Sequence, residues 1–160
     1  MKSVLDKKIF RIIGEAADSL GLETYVIGGF VRDLFLNRPS KDIDVVCVGS
    51  GIELATEVKR RLGKPVRLSV FKNFGTAQLK LKDLEVEFVG ARRESYDRNS
   101  RKPVVEDGTL KDDQERRDFT INTLALSLNA ATYGQLLDPF SGVEHIQQKL
   151  IITPLDADIT

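Results

Sequence analysis

Apolar residues recur at helical spacing over residues 4–20, where Leu5, Ile9, Ile12, Ile13, Ala16 and Leu20 share a face and Gly21 ends the run. That pattern predicts an amphipathic helix. Thr24 to Ile27 is a short β-rich run that predicts a buried strand, followed by Gly28-Gly29 and a short helix from Phe30 to Leu36. Asn37 and Pro39 stop that helix. Asp42 to Val48 predicts a second strand, with Gly49, Ser50 and Gly51 as the turn. Over residues 52–62, Ile52, Ala55, Val58 and Leu62 again fall on one helical face. Val66 to Val70 alternates as a strand, and residues 76–81 and 84–89 predict two more, joined at Lys82-Asp83.

Residues 91–111 are polar and short of apolar side chains, which predicts a mobile loop of functional length. Helical spacing resumes over 113–128 through Phe119, Ile121, Leu124 and Leu128. Leu136-Leu137 suggests a last short strand, Asp138-Pro139 a turn, and residues 142–150 a final short helix. The sum is an α/β (α+β) chain with a small mixed β-sheet flanked by helices. It lacks the regular alternation of a doubly wound sheet.

The 160 residues suffice for one domain with its own core. Lys+Arg and Asp+Glu are both 24, so the net charge is zero, which argues against a polybasic nucleic-acid binder while leaving room for a local basic patch. One cysteine excludes an internal disulfide framework and one histidine makes histidine-based catalysis or zinc ligation improbable. No apolar run approaches the ~20 residues of a membrane-spanning helix, and the first eight residues lack a signal-peptide core. A cytoplasmic protein is expected.

Four constellations carry potential chemistry. Asp42 and Asp44 stand two apart on a predicted strand, so both carboxylates project from one face while Ile43 and Val45 turn to the core. Like charges this close repel unless a cation lies between them, and Mg²⁺ favours such oxygen ligands. Gly28-Gly29 lies between a predicted strand and helix, where the backbone can approach a phosphate and Arg32 can add a charge. Glu87 would complete a three-carboxylate set if its strand paired beside that of Asp42 and Asp44. In Arg116-Arg117-Asp118-Phe119-Thr120-Ile121-Asn122, the predicted helix brings Asp118 and Asn122 together at i, i+4 and Arg117 near Ile121 and Leu124. Taken singly, each has a plainer reading: a solvated strand start, a flexible turn, a polar outer strand face, a helix with solvated ends.

Their order along the chain is more specific. Gly28-Gly29-Phe30-Val31-Arg32-Asp33, then Asp42-Ile43-Asp44, then the segment from Arg116 to Asn122 resembles the head of the class II tRNA nucleotidyltransferases and bacterial poly(A) polymerases, within the polymerase-β-like nucleotidyltransferase superfamily. Phe74-Gly75-Thr76, Val86-Glu87 to Arg92, and Asp138-Pro139-Phe140-Ser141-Gly142 fit the same pattern, and the resemblance covers roughly residues 24–153.

The resemblance implies a nucleotidyltransferase catalytic head over residues 1–140, with 141–160 beginning a helical neck. It implies two Mg²⁺ ions held by Asp42, Asp44 and Glu87, which are also the catalytic residues. Gly28, Gly29 and Arg32 would hold the triphosphate, and Arg117, Asp118 and Asn122 would line the nucleotide site. The implied reaction is template-independent addition of CMP and AMP, from CTP and ATP, to tRNA 3′ ends. Poly(A) synthesis and C-only or A-only addition are the alternatives within the family, and a non-catalytic nucleotide- or RNA-binding module is the alternative outside it. His145-Ile146 and Ile152 depart from the family pattern away from the catalytic set. The family's base-selecting motif and tRNA-gripping helices are not seen before Thr160, so a head cut short of them, weakly active or inactive alone, is the expectation. Cys47 and His145 are expected to be packing or surface residues.

Overall fold

A computed structural model describes residues 7–63, 65–96 and 103–154. The chain runs α1 (Lys8–Leu20), β1 (Thr24–Ile27), α2 (Gly29–Phe35), β2 (Asp42–Cys47), α3 (Gly51–Leu62), β3 (Arg67–Phe71), β4 (Thr76–Lys80), β5 (Glu85–Gly90), β6 (Arg92–Tyr96), β7 (Pro103–Asp107), α4 (Leu110–Glu115), β8 (Ala125–Ser127), β9 (Leu136–Leu137) and α5 (Gly142–Gln148), with 3₁₀ turns at Lys72–Phe74, Thr120–Asn122 and Ala130–Thr132. Among the described residues, seven strands form one mixed sheet in the order β3-β4-β5-β2-β1-β8-β9, and β6 and β7 pair as a separate ribbon. β2 and β5 run parallel, while the other described pairs are antiparallel.

The two faces of the sheet differ. Val26, Ile43, Val45, Cys47, Ala77, Leu79, Val86, Phe88 and Leu126 alternate onto one face and pack, with Phe10, Ile13, Val31, Leu54 and Val58 from the first three helices, into the main core. Full burial of each Val, Leu, Ile or Phe side chain among them contributes about 1.5–3 kcal/mol. The opposite face carries a smaller cluster of Ile27, Val46, Ala91, Leu110 and Ala125 at one end. Beyond it lie the polar positions Asp42, Asp44, Glu85 and Glu87.

Local signals explain the helix ends. Gly21 closes α1 at φ 69°, in the left-handed region. Ser50 caps α3 by accepting from the Glu53 N–H at 3.2 Å. In α1, Gly14 lets the helix lie directly on the strand that follows α4, since a Cβ there would come within 2.2 Å of the Leu128 carbonyl oxygen. Asn129 fastens the same junction, accepting from Thr24 N–H at 2.8 Å and donating to Leu22 O at 2.8 Å and Asp18 Oδ1 at 3.0 Å. Cys47 is fully buried, and that burial pushes its thiol up to about 12. His145 packs through its ring Nδ1, 2.6 Å from Thr120 Oγ1.

Two expectations fail. The segment 113–128 is not one helix. A capping box between Thr109 and Asp112 starts α4 at Leu110, the helix ends after Glu115, and the chain passes through a 3₁₀ turn into β8. Leu124, Leu126 and Leu128 join the main core while Ala125 joins the cluster on the opposite face, which is strand alternation, and pairing with β1 decides between the two patterns. The polar stretch 91–111 is not a plain loop either. β6 and β7 pair antiparallel from Arg92↔Asp107 to Tyr96↔Pro103, backbone pairing that needs no apolar alternation, and α4 begins at Leu110. Residues 97–102 of that stretch, 4–6 of the first predicted helix and 155–160 at the far end lie outside the described residues. No described helix is long and apolar enough to cross a membrane.

Candidate active site

The site begins with strand register. In the parallel pair, Asp44 lies opposite Glu87 and Asp42 opposite Glu85. Strand partners lie within about 5 Å in the hydrogen-bonding direction. Asp42, Asp44 and Glu87 therefore share the face turned away from the main core, as the alternation requires. The row continues in both directions: Ile27 lies beside Asp44 on β1, Gln78 beside Glu87 on β4, and Ser69 beside Gln78 on β3.

Electrostatics mark this row. The Asp44 carboxyl is raised above the ordinary aspartate range, first by burial, then opposed by the charge of Arg117, with Asp42 pushing further upward. Glu87 is raised by burial and by Asp44, with Arg92 acting against both. The side chains are hard oxygen donors, and their mutual repulsion is what a divalent cation would relieve. Among the described residues, no three His, Cys, Asp or Glu groups are arranged to hold a metal ion, so the three carboxylates share a face without forming a closed cage.

Gly28 follows Ile27 and turns the chain into α2. Its backbone, at φ 78° and ψ −140°, is in a region reserved for glycine. A Cβ there would lie 3.3 Å from Arg117 Nη1 and 3.5 Å from Asp44 Oδ2. The turn thus brings backbone, guanidinium and carboxylate together without a side chain between them. Arg32 projects from α2 beside Gly29. Its Nη1 donates to Asn122 Oδ1 at 2.9 Å and its Nε to Asp33 Oδ1 at 3.1 Å. Asn122 Nδ2 donates in turn to Asp118 Oδ1 at 3.2 Å. Asp118 and Asn122 meet as expected, across a turn closed by a 3₁₀ segment instead of a helix. Asp42, Asp44 and Glu87 thus lie on this face, with Gly28, Gly29 and Arg32 at the turn into α2 and on that helix, and Arg117, Asp118 and Asn122 in the segment after α4.

Other contributors were not singled out from sequence. Asp113 is fully buried and anchors two arginines. Arg117 donates to its Oδ2 from Nε at 3.2 Å and Nη2 at 3.1 Å. Arg116 approaches its Oδ1 with Nε at 3.3 Å and Nη2 at 3.2 Å. Their spacing at i, i+3 and i, i+4 is the available sequence signal. Gln114, also buried, donates to Thr123 O at 2.8 Å and Leu137 O at 3.3 Å, tying α4 to the turn before β8. On the other side of Glu87 a cleft of about 510 Å³ opens, with walls that include Phe71, Phe74, Gln78, Arg92 and Arg116.

Comparison with known proteins gives this arrangement a family. A family model described as the poly A polymerase head domain matches residues 24–152. The chain belongs to that family. This head domain is 47% identical over 130 residues to an A-adding tRNA nucleotidyltransferase of Aquifex aeolicus, covering 81% of the chain and 16% of that protein. It is 34% identical over 135 residues to a CCA-adding enzyme of Anoxybacillus flavithermus, covering 83% of the chain and 32% of the relative. Among solved structures, a CCA-adding enzyme in an apo form superposes with TM-score 0.83 at 39% identity, covering 93% of the chain and 36% of its own. A tRNA nucleotidyltransferase complexed with a primer tRNA and an incoming ATP analog superposes with TM-score 0.77 at 42% identity, covering 89% and 38%. The head domain spans from about a sixth to under two-fifths of the length of these relatives.

Proposed function

We propose that this chain carries the catalytic centre of a tRNA 3′-end nucleotidyltransferase, adding CMP and AMP from CTP and ATP to complete a CCA end in the cytoplasm. The observation that carries the reading is the carboxylate row of Asp42, Asp44 and Glu87, bordered on one side by the Gly28 turn and Arg117. The names of the relatives support tRNA as the acceptor. A second reading, addition of A alone, draws on identities of 47% and 43% to two A-adding relatives, although a third A-adding relative is 34% identical, as is the CCA-adding enzyme of A. flavithermus.

Asp42, Asp44 and Glu87 put oxygen donors on one face of the sheet without closing a cage, and would hold two Mg²⁺ ions with the nucleotide's phosphate oxygens completing the ligand set. Bound Mg²⁺ supplies Lewis-acid activation of the acceptor hydroxyl and neutralises charge on the leaving pyrophosphate. Arg117, aimed between Gly28 and Asp44, and Arg32 bind and orient the triphosphate by charge-assisted hydrogen bonds. Gly28 and Gly29 leave room for phosphate oxygens against the backbone. Asn122 and Asp118 present an amide and a carboxylate to the ribose. A binding module would not need this partly buried like-charge cluster, in which burial and then mutual repulsion raise Asp44 and Glu87 at a cost to the folded state.

The test is equilibrium binding of labelled ATP and CTP with and without Mg²⁺, followed by incorporation into tRNA lacking its 3′ end. Mg²⁺-dependent binding lost in Asp44→Asn is expected, with weak addition whose order is C, C and A. Addition of A only selects the second reading, and Mg²⁺-independent binding retained by Asp44→Asn would overturn the catalytic one.

A further inference from the structure

The carboxylate row has two unlike flanks. On the β1 side lie the Gly28 turn, Arg32 and Arg117, all suited to phosphate. On the β4 side lies the cleft that runs from Glu87 and Gln78 to Phe71 and Phe74. In-line phosphoryl transfer places the attacking and leaving oxygens on opposite sides of the reacting phosphorus. If the pyrophosphate leaves toward Gly28, the acceptor hydroxyl must approach from the cleft.

The composition of that cleft suits single-stranded RNA. Phe74 is 66% exposed and Phe71 47% exposed, and neither belongs to the two described cores. A 3₁₀ turn closed by Gly75, at φ 64°, holds Phe74 at the rim. Arg92 lies beside that turn, its Nη2 3.5 Å from where a Gly75 Cβ would be. Arg116 reaches the same cleft from its anchor on Asp113. Aromatic faces flanked by arginines bind unpaired bases by stacking and their backbone by charge.

We infer that Phe74, supported by Phe71, is the stacking platform for the 3′-terminal base of the RNA acceptor, with Arg92 and Arg116 meeting its phosphates. The inference rests on the proposed nucleotidyl transfer, which supplies the acceptor. Stacking tolerates any base because each offers a π-face. The seat would therefore hold successive 3′ ends without reading their edges, leaving selection to the incoming nucleotide.

The experiment uses a tRNA acceptor-stem RNA ending in 2-aminopurine, whose fluorescence is quenched by stacking. The chain has no tryptophan, so its own emission does not interfere. Binding of this RNA, and separately of Mg²⁺-ATP, is measured for the wild type, Phe74→Ala, Phe74→Leu and Phe74→Tyr. Loss of one stacked base predicts roughly 5- to 150-fold weaker RNA binding by Phe74→Ala, near-wild-type binding and quenching in Phe74→Tyr, little rescue by Phe74→Leu, and unchanged ATP affinity. No quenching by the wild type, or RNA binding unaltered in Phe74→Ala, overturns the inference while leaving Mg²⁺-ATP binding, and so the proposed reaction, intact. Equal rescue by Leu and Tyr assigns Phe74 to apolar packing against another protein surface and also overturns it. If the wild type shows no Mg²⁺-dependent ATP binding, the proposed reaction fails first and the cleft falls with it as an acceptor seat.

Discussion

Asp113 offers a sharp test of how the site is held. It is fully buried and receives four guanidinium contacts, between 3.1 and 3.3 Å, from two arginines. Replacing it with alanine leaves both positive charges without their partner. Removing one partner of a fully buried pair costs about 3–5 kcal/mol. Here the Arg116 and Arg117 side chains remain 32% and 19% exposed and can turn to water, which brings the expected cost of Asp113→Ala to about 2–3 kcal/mol. For a domain of this size that is a fall in Tm of about 5–10 °C. Asp113→Asn keeps an acceptor but loses the charge and should fall between. Thermal and urea unfolding measure both variants. The same change frees Arg117 from its aim at Gly28 and Asp44, so Mg²⁺-ATP affinity should drop in parallel with the loss in Arg117→Ala. The double variant should lose less than the sum, by about 0.5–3 kcal/mol of coupling. A Tm shift below about 1 °C for Asp113→Ala, or strictly additive losses, would refute the idea that one buried carboxylate organises both arginines.

Other changes probe separate links. Asp44 and Glu87 bind protons more readily in the folded than in the unfolded chain, because their folded pKa values are raised. In chelator, stability should therefore fall as pH rises through those raised values. Asp44→Asn should be more stable than wild type at neutral pH, an advantage that shrinks on acidification toward the ordinary aspartate pKa of about 3.9. An advantage that stays flat from pH 7 to about 4 would contradict the sign. Gly28→Ala forces a side chain into a glycine-only conformation beside Arg117 and Asp44, and should cost about 1–3 kcal/mol by denaturant titration, together with most Mg²⁺-ATP binding. Gly14→Ala, far from the site, should cost at least about 1–3 kcal/mol by overpacking α1 against the Leu128 carbonyl, while ATP affinity measured below the unfolding transition stays unchanged.

Much of the sheet was legible because its strands alternate cleanly. In β2, Ile43, Val45 and Cys47 face the core while Asp42 and Asp44 do not, so the carboxylate pair could be placed from sequence alone. The partnership with Glu87 was conditional on a strand pairing that only the parallel register of β2 and β5 supplies. The stretch from 113 to 128 misled because Leu124 and Leu128 fit a helix by their spacing of four and a strand by the buried Leu126 between them. Contact with β1, a hundred residues earlier in the chain, resolves the ambiguity. Asp113 and Phe74 show the complementary limit. An aspartate in a polar helix start gives no sign that it is buried beneath two arginines, and a phenylalanine gives no sign that it stands at the surface. Both facts arise from tertiary placement, not local pattern.

The division of the sheet into two unlike faces also guards the fold against its nearest mistake. Side chains along β2 alternate with a period of two, so a slip of one residue against β1 and β5 would exchange the faces. Ile43 would then stand on the carboxylate face, and Asp42 and Asp44 would enter the apolar layer. Each unpaired ionised carboxylate moved there costs at least several kcal/mol, enough to make the shifted pairing a negligible population. The two acidic residues that burden the correctly folded chain with their repulsion thereby exclude its misaligned competitor. Neutralising them would relax that proofreading along with the proposed chemistry.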